Sequence, residues 1–138
     1  MTPPFKIKHI DHIVLRVKDL DRMMKFYREV LGCAFEKEQA AIGLWQLRAG
    51  GSLIDLVPID GLLGSRGGAG PGEEARNLDH FALRIETFDE DALRTHFEKH
   101  GVTVTQAGER YGAEGDGPSI YVLDPEGNEV EIKGPPRS

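Results

Sequence analysis

Two stretches of the chain alternate apolar residues with others at a period of two: Ile10-Asp-His-Ile-Val-Leu-Arg-Val17 and Leu78-Asp-His-Phe-Ala-Leu-Arg-Ile85. That alternation predicts half-buried strands. Ile13, Leu15 and Val17 then share a core-facing side, and His12, Val14 and Arg16 project from the other; the second stretch does the same with His80 and Arg84. After each strand the period lengthens to that of a helix, over Leu20 to Gly32 and over Phe88 to Gly101. Met23, Tyr27, Val30 and Leu31 make one apolar stripe on the first helix, and Gly32 suits the left-handed position that ends many helices. In the second, Thr87-Phe-Asp-Glu90 has the capping-box pattern, Leu93 and Phe97 form the apolar side, and Gly101 closes it. Ala49-Gly-Gly-Ser52 and Asp124-Pro-Glu-Gly-Asn128 read as turns joining the last two strands of each half.

The two halves are copies. His80 follows His12 at an offset of 68 (80 − 12), and Asp, His, Leu and Arg are identical in both first strands. Further on, Trp45 to Leu56 lies against Tyr121 to Ile132 at a constant offset of 76, which pairs Gly51 with Gly127 and Asp55 with Glu131 (131 − 55). A fixed-offset repeat is the mark of a duplicated supersecondary unit. Each copy reads as strand, helix and three strands, so the expected fold is α+β, two tandem βαβββ modules in a single domain of 138 residues. Module one spans about 8–60, a linker about 61–76 and module two about 77–133. Gly61-Leu-Leu-Gly-Ser-Arg-Gly-Gly-Ala-Gly-Pro-Gly72 is too rich in glycine for a regular element and reads as a flexible linker, with a lid as the functional alternative.

Composition narrows the function by exclusion. With 39% hydrophobic and 29% charged residues the chain is an ordinary globular one. A net charge of −6 without a basic cluster argues against nucleic acid as a partner. No stretch approaches the apolar length of a membrane span, nothing resembles an export signal, and a folded cytosolic protein is the expectation. Cys33 is the only cysteine, excludes an internal disulfide and reads as a small buried hydrophobe.

The repeat itself carries the chemistry. It puts a histidine in the same place twice, on the face away from the helix, and a carboxylate in the same place twice. His12, His80, Glu131 and Asp55 are therefore candidate metal ligands, and imidazole with carboxylate suits Zn, Ni, Co, Mn or Fe as a divalent ion. Other patterns fail. His96-Phe-Glu-Lys-His100 has Phe97 where a zincin needs Glu, and reads as a solvated helix face. Arg110-Tyr-Gly-Ala-Glu-Gly-Asp-Gly-Pro-Ser119 reads as a loop without the Gly-Lys-Ser/Thr ending of a phosphate loop, and no serine stands in a nucleophile elbow. His9 has no counterpart in the second copy and reads as a surface residue.

With the paired His and the closing Asp124-Pro-Glu-Gly-Asn-Glu-Val-Glu131, the chain resembles the vicinal oxygen chelate superfamily from about residue 8 to about residue 133. That group includes glyoxalase I, fosfomycin-modifying enzymes, extradiol dioxygenases and bleomycin-binding proteins. The resemblance implies two modules whose mixed sheets curl into a cleft around a metal, often completed by a second subunit, hence a homodimer acting on a small-molecule substrate. Asp11 to Asp19 with Phe26 to Gly32 is similar to the start of glyoxalase I. His12, His80 and Glu131 then match metal ligands, and Arg16 matches an arginine that contacts substrate. Arg84, its counterpart in the repeat, is a second substrate-binding candidate. Asp55 stands where glyoxalase I has Glu, one methylene shorter, which leaves room for a bridging water. Pro58 and Ile59 replace the region of an Asn that contacts glutathione. Ala113 to Ser119 is similar to the potassium loop of the fosfomycin thiol transferases, while Val14 replaces their threonine. The activity implied is of lyase or isomerase type, with two substrate oxygens on the metal, an enediolate stabilised there and Glu131 as proton carrier. A fosfomycin-type thiol transferase, an extradiol-type dioxygenase and a non-catalytic drug-binding module are the alternatives.

Overall fold

The computed structural model describes residues 2–137. The expected βαβββ order holds in both halves. Module one consists of β1 (His12–Val17), α1 (Leu20–Lys25), β2 (Ala34–Gln39), β3 (Leu44–Ala49) and β4 (Ser52–Pro58). Module two consists of β5 (Phe81–Arg84), α2 (Glu90–Lys99), β6 (Val104–Gly112), β7 (Gly115–Leu123) and β8 (Glu129–Lys133). Each forms an open four-stranded mixed sheet, ordered β1-β4-β3-β2 and β5-β8-β7-β6. In both, the first strand runs parallel to the last and the remaining pairs are antiparallel. The duplication extends to register: Val14 pairs with Asp55, and Ala82 with Glu131.

The first helix departs from a plain α-helix. After α1 the chain widens into a π-helical turn over Phe26–Val30. There the Leu31 amide donates to the Phe26 carbonyl at 3.2 Å and the Cys33 amide to that of Tyr27 at 2.9 Å. Widening lets two consecutive aromatic residues, Phe26 and Tyr27, both be buried, with their rings edge to face at 5.0 Å. Gly32 and Gly101 both take positive φ, as their places after the helices require. The second helix begins later than its capping-box pattern suggests. Asp89, not Thr87, is the N-cap, and its carboxylate accepts from the Ala92 amide at 3.1 Å. A carboxylate reaches that amide as well as a hydroxyl does and also favours the helix dipole.

Both modules contribute to one core. Leu15, Val17, Met23, Phe26, Tyr27, Leu47, Ile54 and Leu56 from the first pack with Phe97, Ile120, Val122, Val130 and Ile132 from the second. Cys33 is buried there too, and burial pushes its thiol up to about 11, so it stays protonated and inert. The expected strand faces follow. Leu15 and Val17 are buried while His12 and Val14 are exposed, and β5 alternates in the same way.

Polar groups lock the modules together at one end. The buried Tyr27 hydroxyl donates to Asp124 at 2.7 Å, and Asn128 donates to the same carboxylate at 2.8 Å. The Glu126 carboxylate accepts from the Lys18 and Asp19 amides at 2.7 to 2.9 Å, in front of α1. Asn77 donates to the Arg16 carbonyl and to Asn128, and accepts from the Arg16 amide. The Asp124-Pro-Glu-Gly-Asn128 turn is thus both a β7–β8 connection and a clamp on module one.

Three expectations are corrected. His96 is half-buried, not on a solvated face: its ring Nε2 lies 2.7 Å from the Val30 carbonyl, where it can donate to an acceptor the π turn leaves open. The Arg110–Ser119 segment is mostly strand, since only Ala113 and Glu114 turn between β6 and β7. Gly117 serves close packing, because a Cβ there would meet the Pro135 carbonyl oxygen at 2.7 Å. The glycine-rich connector is not a free linker, for its backbone is tied to module one. Among the described residues no helix is long and apolar enough to cross a membrane.

Candidate metal site

The strand pairing explains how the candidate ligands meet. In module one, β1 and β4 lie side by side, and the His12 ring stands over the Asp55 carboxylate, with Nε2 to Oδ2 at 3.9 Å. In module two, β5 and β8 repeat the arrangement, with His80 Nε2 to Glu131 Oε1 at 3.2 Å. Both carboxylates are buried, Asp55 at 3% and Glu131 at 6% exposure, while both imidazoles open to solvent. A buried carboxylate needs a compensating group, and each of these has an imidazole on its open side.

Each histidine is also held from behind. His12 Nδ1 lies 2.8 Å from Asp11 Oδ2, and His80 Nδ1 lies 2.7 Å from Asp79 Oδ2. An Nδ1 proton donated to the aspartate leaves Nε2 as the ring nitrogen that faces Asp55 or Glu131. That is how metal-binding imidazoles are commonly oriented. The aspartates raise both histidine pKa values by stabilising the imidazolium. Asp11 and Asp79 are in turn held below the usual carboxylate range by those hydrogen bonds. Identical Asp-His pairs in the two copies were the available sequence signal for these aspartates.

The carboxylates differ. Burial raises the Asp55 pKa, only partly offset by Gln46, whose amide lies 3.3 Å from both carboxylate oxygens, and by His12. Burial acts on Glu131 too, but is outweighed by hydrogen bonds from Ser119 and Tyr121 and by the charges of His80 and Lys133, so its pKa is lowered. Ser119 donates to Glu131 Oε2 at 2.6 Å, leaving Oε1 toward His80. Hydrogen bonds thus favour the ionised form of Glu131, while burial works against that of Asp55, which is also shorter and farther from its imidazole.

The chain brings the four candidate ligands together two and two. Among the described residues no three His, Cys, Asp or Glu side chains come close enough to hold a metal ion. Each pair sits on the sheet face away from the shared core. The imidazole nitrogens and carboxylate oxygens of each pair fit a borderline divalent ion chemically.

The two arginines are engaged by the protein. Arg16 donates through Nε to the Gly64 carbonyl at 2.9 Å, and through its terminal nitrogens to Gly68 at 2.5 Å and Ala69 at 3.1 Å. Arg84 pairs with Glu114 at 2.9 Å and donates to the Ile85 carbonyl at 2.7 Å. A cavity of about 470 Å³ lies over the His12–Asp55 pair, and one of about 200 Å³ lies beside Glu131 and Arg84.

Comparison with known proteins agrees with the two-module fold. The family model of the Glyoxalase/Bleomycin resistance protein/Dioxygenase superfamily matches residues 9–132. The chain is 26% identical over 126 residues to the glutathione transferase FosA of Serratia marcescens, covering 91% of this chain and 80% of that protein. An integron cassette protein from the mobile metagenome of V. cholerae superposes with a TM-score of 0.71 at 30% identity, over 94% of this chain and 97% of the other. A lactoylglutathione lyase from Agrobacterium tumefaciens superposes at 0.63 and 23% identity over 96% of each chain, a likeness of fold.

Proposed function

The chain belongs to the Glyoxalase/Bleomycin resistance protein/Dioxygenase superfamily, and from that premise we propose that it is a divalent-metal enzyme of glyoxalase type, a lyase or isomerase acting on a small oxygenated substrate. The observation that carries this reading is the repeated triad, Asp11-His12-Asp55 and Asp79-His80-Glu131, with each Nε2 directed at a buried carboxylate. His12 and Asp55 of one copy and His80 and Glu131 of a second copy complete the ligand set in a homodimer, because each face presents only half of it.

When bound, the ion supplies Lewis-acid chemistry to two adjacent oxygens of the substrate, which acidifies the neighbouring C–H. Glu131 takes that proton and returns it to the adjacent carbon. Ser119 fixes Oε2, so the transfer falls to Oε1. The lowered pKa of Glu131 keeps it in the ionised form that a base requires. Asp11 and Asp79 hold the imidazoles with Nε2 turned toward Asp55 and Glu131.

A thiol transferase is the second reading, favoured by the similarity to FosA, a glutathione transferase. On the same site it uses a thiol as nucleophile toward an electrophilic substrate and needs no proton shuttle on carbon. Metal content decides first. Protein purified without chelator should carry, or take up on dialysis, a divalent ion, and failure to do either sinks both readings. Conversion of the glutathione hemithioacetal to a thioester, read as a gain in thioester absorbance in the ultraviolet, would then mark the lyase. Glutathione-dependent fosfomycin modification without that gain would mark the transferase.

A further inference from the structure

We propose that the glycine-rich connector forms the specificity wall of the site and that Arg66 on it binds a carboxylate of the substrate, one lying beyond the chelating oxygens. The proposal deepens the metal-site reading and rests on it. It assigns the substrate class as small acids with a second negative group.

The connector is built onto module one. The Ile59 amide donates to the Val17 carbonyl at 2.9 Å and the Leu63 amide to Ile42 at 3.2 Å. Turns close through Ser65 to Gly61 at 3.0 Å and through Arg66 to Leu63 at 3.2 Å. A Cβ on Gly64 would overlap the Pro58 carbonyl oxygen, so only glycine lets the chain fold this tightly back over β4. Arg16, rising from β1, then holds the carbonyls of Gly64, Gly68 and Ala69. These ties bring Leu63 and Arg66 into the wall of the cavity that His12, Val14, Arg16 and Asp55 also line.

The two arginines of that wall have different states. Arg16 is committed to backbone carbonyls on three nitrogens, which fixes the loop and leaves little of its fork for a ligand. Arg66 makes no side-chain hydrogen bond and no ion pair among the described residues, whereas Arg48, Arg84 and Arg94 each face a carboxylate. A guanidinium on the rim of a cavity without its own acid is suited to a carboxylate, which its planar fork can take bidentately. Arg16 is thus a positioning residue for the wall, and Arg66 is the group that touches substrate.

The test uses the full chain loaded with Co²⁺, whose visible absorption reports uptake, and two probes that chelate through the same α-hydroxyl and carboxylate. Lactate ends there; malate carries one carboxylate more. By calorimetric titration the wild type should bind malate about tenfold more tightly than lactate. Arg66→Ala should erase that difference with lactate affinity unchanged within about twofold, and Arg66→Lys should restore part of it. The proposal is overturned if malate preference survives Arg66→Ala, if the wild type has no preference, if both acids weaken equally, or if neither binds the Co²⁺ protein. If Co²⁺ itself is not taken up, the metal-site reading fails and this one with it. Uptake with any of the other adverse results overturns the Arg66 assignment alone.

Discussion

At the scale of single residues, the paired aspartates behind the histidines explain why two exposed imidazoles can act as directed ligands. Asp79→Asn should lower Ni²⁺ or Co²⁺ affinity by about 10- to 100-fold in a metal titration while leaving the circular-dichroism spectrum intact, because an oriented ring becomes a loose one. An unchanged affinity would show that the aspartate does not orient the ring. The pH dependence has a definite sign. Metal needs neutral imidazole, and the aspartates raise both histidine pKa values above 6.5. Apparent metal affinity should therefore fall as pH drops through that raised range and recover above it, with the fall displaced to lower pH in Asp79→Asn. The pairing of His12 with Asp55 and of His80 with Glu131 was legible from the repeat, because the duplication placed the same residue types twice. The orienting role of Asp11 and Asp79 was not, since an identical residue in two copies is equally what a surface position would show until the ring geometry is known.

At the scale of elements, the strands were legible and the connections less so. Alternation in Ile13, Leu15 and Val17 depends only on which side of a strand is buried, so it survives into the structure unchanged. The ties that hold the connector, and the bond from His96 to Val30, join residues far apart in sequence and leave no local pattern. Thr87 and Asp89 both suit an N-cap by type, and only the backbone path selected Asp89. The clamp at the Asp124 turn has a measurable weight. Tyr27→Phe removes one donor from a buried carboxylate and should cost about 1–3 kcal/mol in urea unfolding. A loss near zero would mean that Asp124 finds another donor. In the connector, Gly64→Ala should move the loop off β4 and weaken malate more than it weakens Co²⁺ binding, read in the same titrations. Equal weakening of both would place the loop's effect on the ligands instead of on the wall.

At the scale of the whole molecule, one shared core forces the two ligand-bearing faces to look away from it. Helices and inner strand faces from both modules meet in the middle, so His12 with Asp55 and His80 with Glu131 are each left on an outer face. A second copy related by a two-fold axis can bring the first face of one chain to the second face of the other, and symmetry then makes two equivalent sites. The duplicated sequence foretold two matching pairs of candidate ligands. It could not say which chain each would come from, because that depends on how the modules pack and not on what either contains.

Subunit mixing shows whether each metal site is shared between copies. His12→Ala and Glu131→Ala chains should each bind metal poorly as pure proteins. Denatured, mixed in equal amounts and refolded together, they should regain about a quarter of the wild-type metal stoichiometry by elemental analysis, because half of the dimers are mixed and each has one intact site of two. Recovery no greater than that of either variant alone, with mixed dimers shown to be present, would contradict the shared site.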